Sequence, residues 1–258
     1  SDIKENQERL FLCTCYETEK KIIPSALNYT GGKYKLLSQI LPLFPKDADQ
    51  VVDLFCGGCN VGINVNCNKV QFNDSNQHLI GLLETFRRLS KEEVLQWLYV
   101  TIKRYHLSLV SENGYEYYGC ESSKGLGSYN KEGYNKLRKD FNSKKEQDDE
   151  YFLMLYLLIV YSFNNQLRFN KKGKFNLPVG KRDFNSKMQK KLEDFIDRIK
   201  SGDYIFTNGD FREVKLDGFT DKSFFYADPP YIITCATYNE QDGWTEKDEY
   251  DLLSYLEE

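Results

Sequence analysis

The sequence predicts an α/β domain on a parallel sheet, with a helical, basic segment inserted into it. Three observations carry this expectation. Strands and helices alternate at both ends of the chain, the order that builds a parallel sheet. The strand candidates Gln50-Val-Val-Asp53 and Ser223-Phe-Phe-Tyr226 are rich in residues that suit a pleated, buried surface. The stretch between, roughly residues 80–190, reads as helices and a basic irregular segment.

Taken in order, residues 1–20 read as an N-terminal arm. Asn28-Tyr-Thr-Gly-Gly-Lys33 is turn-like and leads into a short helix over 34–44, ended by Pro42 and Pro45. A strand from Gln50 runs into the glycine turn Gly57-Gly58, and a short helix is expected over 59–66. Val70–Asp74 is a second strand. His78–Leu89 has amphipathic spacing, and the next helix opens on Ser90-x-x-Glu93, a capping box. Residues 111–133, rich in Gly, Ser and Tyr, are expected to form a loop. Residues 134–164 are mostly helical, with the apolar run from Tyr151 as a buried helix, since spanning a bilayer takes about 20 apolar residues. Residues 165–186 are polar and irregular, and Lys187–Ile199 is a basic helix. Strands at Tyr204–Asp210 and Phe224 follow, then a helix opened by Thr245-x-x-Asp248.

The totals narrow the classes. The 258 residues, 40% hydrophobic, suffice for one large domain or a domain with an insert. No membrane span or signal peptide is read, and a cytoplasmic protein is expected. Seven scattered cysteines point to free thiols in a reducing compartment. Cys56-Gly-Gly-Cys59 has redox or zinc spacing, but with no second such pair and only two histidines no metal site is expected. Net charge is −4, which alone disfavours nucleic acid. The charge is uneven, however: Arg168 to Lys200 holds eleven Lys/Arg against four acids. Such a stripe is either a phosphate-binding surface or a solvated face.

Two places carry chemistry. At Asp53-Leu-Phe55-Cys-Gly57-Gly58 a buried strand ends in glycines, where open α/β sheets bind ligands. There is no GxGxxG, so a dinucleotide has no ready cradle. Asp74, ending the next strand, suits the two hydroxyls of a ribose or, alternatively, a helix cap. Asp53 would shape the loop or meet a cationic ligand. The second place is Ser223-Phe-Phe-Tyr-Ala-Asp-Pro-Pro-Tyr231. Two prolines end the strand and lock the backbone. Asp228 and the Pro229 carbonyl can then accept hydrogen bonds from one planar NH2 group, while Tyr231 stacks on the attached ring. An ordinary proline turn is the bland alternative.

Asp228-Pro229-Pro230-Tyr231 resembles the catalytic motif of amino-group methyltransferases that use S-adenosylmethionine. From about residue 24 onward the chain is similar to the Dam-type DNA adenine-N6 methyltransferases, the phage-type enzymes in particular. Asn28–Lys33 resembles their N-terminal cofactor motif, Asp53–Gly58 their cofactor loop, and Phe72-Asn-Asp74 their ribose-binding acid. Ser162-Phe-Asn-Asn-Gln-Leu-Arg-Phe-Asn170 with Gly173–Lys181 resembles their DNA-reading hairpin region. The resemblance implies a Rossmann-like methyltransferase sheet formed by 21–80 and 187–258, with a DNA target-recognition subdomain at 81–186. It implies S-adenosylmethionine as cofactor, S-adenosylhomocysteine as product, and no metal. Cofactor-binding residues would be Tyr29, Lys33, Asp53, Phe55, Gly57, Asp74 and Asp228. Catalysis would fall to Asp228, Pro229, Pro230 and Tyr231. Double-stranded DNA would meet Asn164, Gln166, Arg168, Asn170, Lys172, Pro178, Lys181 and Arg182. An arginine is the natural reader of guanine, so Arg168 is the candidate for one base, with a phosphate contact as its alternative. Gln166 stands where the family often has an apolar wedge. The implied reaction is methylation of a flipped adenine, with GATC as the expected site; another site, the cytosine amine or a silent DNA-binding remnant are the rivals. A monomeric enzyme, bacterial or phage-encoded, is expected, with a cognate restriction endonuclease among the candidate partners. The family carries a further strand, helix and hairpin beyond the region that ends here at Glu258.

Overall fold

A computed structural model describes residues 20–29, 31–230 and 243–258. Four strands form one sheet: β1 (Gln50–Asp53), β2 (Lys69–Asp74), β3 (Asp203–Asn208) and β4 (Ser223–Tyr226). Their order is β3-β2-β1-β4, and every pairing is parallel, so the predicted α/β class holds. All four residues of β1 are buried, as befits a central strand covered on both faces. From β1 the chain steps outward to β2 and β3, then returns to place β4 on the far side of β1. The reversal makes a topological switch point between β1 and β4, the place where open parallel sheets leave a crevice.

Six helices join β2 to β3: α1 (Gln77–Arg88), α2 (Lys91–Arg104), α3 (Val110–Tyr117), α4 (Gly127–Ser143), α5 (Asp149–Tyr161) and α6 (Ser186–Ser201). A seventh, α7 (Glu246–Glu257), follows β4. Local chemistry sets their starts. Ser90 and Glu93 form the expected capping box on α2, and Thr245 and Asp248 form one on α7. Every residue of α5 from Tyr151 to Tyr161 is buried, which is why its sequence is apolar on all sides. None of the helices among the described residues is long and apolar enough to cross a membrane.

The larger core is continuous from β2 and β3 through α1, α5 and α6 to the buried face of α4. A smaller one lies on the opposite face of the sheet. There Val52, Leu54, Phe211, Val214, Trp244 and Leu252 pack together, with Phe55 and Phe225 against them. Arg212 ties α7 to this face through Asp210, Asp248 and Asp251, at 2.8–2.9 Å.

Three local expectations are corrected. The helix expected over 59–66 is a series of turns, because Cys59 takes a left-handed conformation (φ 70°) that no regular helix begins with. Its carbonyls are held from outside instead: Arg198 of α6 donates to Ile63 O at 2.6 Å, and Lys20 to Val65 O and Cys67 O at 3.2 and 3.1 Å. The helix over 34–44 is broken into a 3-10 turn, one α-helical turn at Leu37–Ile40 and a second 3-10 turn containing Pro42. The expected loop over 111–133 contains most of α3 and the start of α4. α3 is kinked within its length at Gly114 (φ 73°), and Gly125 (φ 81°), just before the N-cap Leu126 of α4, backs directly onto Lys181.

Candidate active site

The strand order places three carboxylates side by side. Asp53 ends β1, Asp74 ends β2 on one side of it, and Asp228 follows β4 on the other. They face one cavity of about 470 Å³. That volume lies within the range of about 300–1,000 Å³ usual for small-molecule sites. Its remaining walls are Asn28, Tyr29, Gly31, Gly32 and Lys33, the glycine turn, the start of α1, and the stretch from Gln166 to Asn170.

Each acid is held differently. Asp74 accepts one backbone N–H on each oxygen, from Gly57 at 3.0 Å and Asn76 at 2.9 Å. The carboxylate is thereby fixed with lone pairs left over for a vicinal diol. The cap of α1 belongs to Asn76, whose Oδ1 accepts from His78 and Leu79, so Asp74 is not spent on that role. Burial raises the Asp74 carboxyl, opposed by its two backbone donors. Asp53 is 2% exposed, and its Oδ1 accepts no hydrogen bond among the described residues. Burial first, then the charges of Asp74 and Asp228, push its carboxyl up to about 8. An orphaned, buried acceptor on a cavity wall is suited to a cationic or donor-rich ligand. Asp228 pairs with Lys33 Nζ at 3.0 Å, and Lys33 also donates to Gly31 O at 2.9 Å.

Gly57 is required twice over. Its φ of 49° is left-handed, and a Cβ there would sit 2.9 Å from the Tyr29 ring. The glycine lets Tyr29 lie against the turn, where its hydroxyl meets Asn76 Nδ2 at 3.5 Å. Phe55 reaches the cavity from the other core, with Phe211 and Trp244 rings 5.5 Å away.

Of the residues singled out in the sequence, Tyr29, Lys33, Asp53, Phe55, Gly57, Asp74, Gln166, Arg168, Asn170, Asp228, Pro229 and Pro230 all line this cavity. Tyr231 lies outside the described residues. Asn164, Lys172, Pro178, Lys181 and Arg182 are exposed on the outer side of the same irregular segment. That segment is not a regular hairpin: two isolated antiparallel bridges, Ser162 with Val179 and Phe169 with Phe175, hold it. Arg168 is oriented by Asn176, whose Oδ1 accepts from Nε at 3.2 Å. The segment is anchored at its far end by buried Asp183, which accepts from Ser108 Oγ at 2.9 Å and Val110 N–H at 2.8 Å.

Two residues went unnoticed in the sequence. Phe163 is 50% exposed beside Asn164 and Asn165, which both take left-handed φ values of 60° and 50°. The only sequence signal is an aromatic followed by two asparagines, the residues that best tolerate that conformation. His78 stacks on Phe169 with ring centroids 3.8 Å apart, a contact no spacing rule reveals. Cys56, Cys59, Cys67 and Cys120 are free thiols, and no group of three or more metal-ligating side chains occurs among the described residues.

The chain is similar in sequence to several named methyltransferases. It is 37% identical over 241 residues to the Type II methyltransferase M.FokI of Planomicrobium okeanokoites, covering 91% of this chain and 34% of that protein. It is 35% identical over 244 residues to the modification methylase StsI of Streptococcus sanguinis, covering 92% and 34%. With a DNA adenine methylase of Vibrio cholerae it shares 29% identity over 218 residues, 83% of this chain and 67% of that one. The chain thus spans about a third of the length of the first two proteins. Residues 29–258 match one family along their whole length, and the chain belongs to the D12 class N6 adenine-specific DNA methyltransferases.

Proposed function

We propose that the chain transfers a methyl group from S-adenosylmethionine to the exocyclic amine of an adenine turned out of duplex DNA. The observation that carries this reading is the row of Asp74, Asp53 and Asp228 around one cavity whose outer wall is the Arg168 segment. The residues fit the cofactor. Asp74 has lone pairs for its ribose diol, and the orphaned Asp53 Oδ1 suits its ammonium group. When bound, S-adenosylmethionine supplies an electrophilic methyl group on a positively charged sulfur.

The chain's own groups hold the adenine. Asp228 and the Pro229 carbonyl accept its two amine hydrogens, which favours the tetrahedral, nucleophilic form of the nitrogen. Lys33 keeps the Asp228 side chain turned toward the cavity. Tyr231 is assigned to stacking on the base. Rate then comes from proximity and alignment of the two reacting groups.

Residues 81–186 serve as the target-recognition subdomain in this reading, with 21–80 and 187–258 as the catalytic part. Arg168 reads a guanine, while Lys172, Lys181 and Arg182 meet phosphates. Phe163, exposed and held on a left-handed turn, takes the place of the extruded base in the stack. GATC remains the expected site on resemblance to the Dam-type enzymes. The relatives named as a Type II methyltransferase and a modification methylase favour a modification role; a monomer, a cognate restriction endonuclease as partner and a bacterial cytoplasm complete this reading.

The test is transfer of labelled methyl from S-adenosylmethionine to unmethylated duplexes with and without GATC, using Asp228→Ala as control. Label on adenine N6, lost in the variant, supports the reaction. Label on both duplexes keeps the chemistry and removes the site. Label on cytosine, or none on any DNA, refutes the reading.

A further inference from the structure

Asp74 lies only four residues before His78, and the links between them are short. Asn76 N–H donates to Asp74 Oδ1 at 2.9 Å, and Asn76 Oδ1 accepts from His78 N–H at 3.1 Å. A diol held by Asp74 therefore acts on the turn that sets the first residues of α1. The His78 ring leaves α1 there and lies flat on Phe169, with centroids 3.8 Å apart and planes 10° from parallel. Both rings border the cavity. Phe169 also meets Phe175 at 5.9 Å and Phe141 at 6.2 Å, so it is in contact with α4 and with the opposing limb of the segment. Tyr151 OH of α5 is 3.4 Å from His78 Nδ1, which limits rotation of the imidazole. Phe169 directly follows Arg168, the residue assigned above to base reading.

We propose that His78 is a positioning residue that couples the nucleoside end of the cavity to the DNA-reading segment through its stack on Phe169. The proposal rests on the functional reading above. It means that a ligand on Asp74 tightens DNA binding, and that DNA tightens the ligand by the same factor, since linkage is reciprocal. The imidazole edge acts by shape: an aromatic ring of similar size preserves the coupling, and a methyl group does not.

The experiment measures Kd for a methylatable duplex by fluorescence anisotropy, with and without saturating S-adenosylhomocysteine. It compares wild type, His78→Ala, His78→Phe, Phe169→Ala and the double alanine variant. The ratio of the two Kd values is the coupling factor. It should exceed one in wild type and fall about 2- to 10-fold in each alanine variant, the scale of one aromatic pair. It should fall no further in the double variant and be kept by His78→Phe, which also guards against misfolding as the cause. A wild-type factor of one, full coupling in His78→Ala, or equal loss in His78→Phe overturns the proposal. If wild type transfers methyl groups but coupling ignores His78, only this role fails. If wild type methylates no DNA, the functional reading fails and this proposal with it.

Discussion

Replacing Asp53 by Asn separates the cost of a buried charge from its use. The folded-state carboxyl titrates at about 8, raised by burial and by Asp74 and Asp228, whereas an unfolded aspartate titrates near 4. A folded value above the unfolded one means that folding disfavours ionisation. The penalty is absent below about pH 4, grows with rising pH, and levels off above about pH 8. A shift of about four pKa units at about 1.36 kcal/mol each sets a ceiling of about 5 kcal/mol. Asparagine carries no charge and escapes this cost. It instead leaves a buried NH2 group without an acceptor, costing about 1–3 kcal/mol at every pH. The variant should therefore lie within about 1.5 kcal/mol of wild type at pH 5, where the growing penalty roughly matches the cost of the orphaned amide, and be the more stable protein at pH 8, there by about 2–4 kcal/mol. At roughly 2–4 °C per kcal/mol for a chain of this size, Tm should rise by about 4–16 °C at pH 8. Calorimetric melts from pH 5 to 9 read this directly. The same variant should bind S-adenosylhomocysteine more weakly at pH 8, with an affinity independent of pH. Wild-type affinity should tighten as the Asp53 proton is lost between pH 6 and 8. A melting difference that is constant with pH, or that favours wild type increasingly as pH rises, would refute the reasoning.

Other outcomes follow from packing and charge. Gly62→Ala places a methyl group against the ring of fully buried Phe72, which is stacked on Phe206; chemical denaturation should show a loss of about 1–3 kcal/mol. Arg212→Ala removes the cation shared by Asp210, Asp248 and Asp251. Tm should fall by about 2–4 °C, less so in high salt. The Asp248 carboxyl is held below its ordinary value by the Thr245 backbone N–H and then Arg212, and that of Asp251 by Lys247 and then Arg212, so the Arg212 contribution is present at neutral pH and is lost as pH falls below about 4. Phe163→Ala should leave the melting curve nearly unchanged and weaken extrusion of the base, read as a reduced signal from 2-aminopurine at the target position.

Much of the fold was written locally and could be read without coordinates. The capping boxes at Ser90 and Thr245, the apolar strands and the wholly buried α5 each follow from residues within a few positions of one another. The errors arose where a local pattern was overruled. A helix is expected over 59–66 from its place after the glycine turn, but Cys59 adopts φ 70° and carbonyls beyond it are taken by Arg198 and Lys20, which are distant in sequence. The α3 region reads as a loop because of its glycines and serines, yet it forms helix on both sides of a kink at Gly114.

The motif acids were visible in the sequence as acids at strand ends, and their grouping was suggested only by resemblance. What the amino-acid order determined by itself was the kind of chemistry available: a glycine turn, acids at strand ends and a proline-locked aspartate. Tertiary structure decided which of these share a cavity, because the β3-β2-β1-β4 order brings Asp53, Asp74 and Asp228, separated by up to 175 residues, onto one edge of the sheet. It also decided that Asp53 is left without a partner on one oxygen, that Phe163 stays exposed, and that His78 meets Phe169. Burial, orphaned acceptors and ring stacking depend on groups far apart in the chain, and no local spacing encodes them.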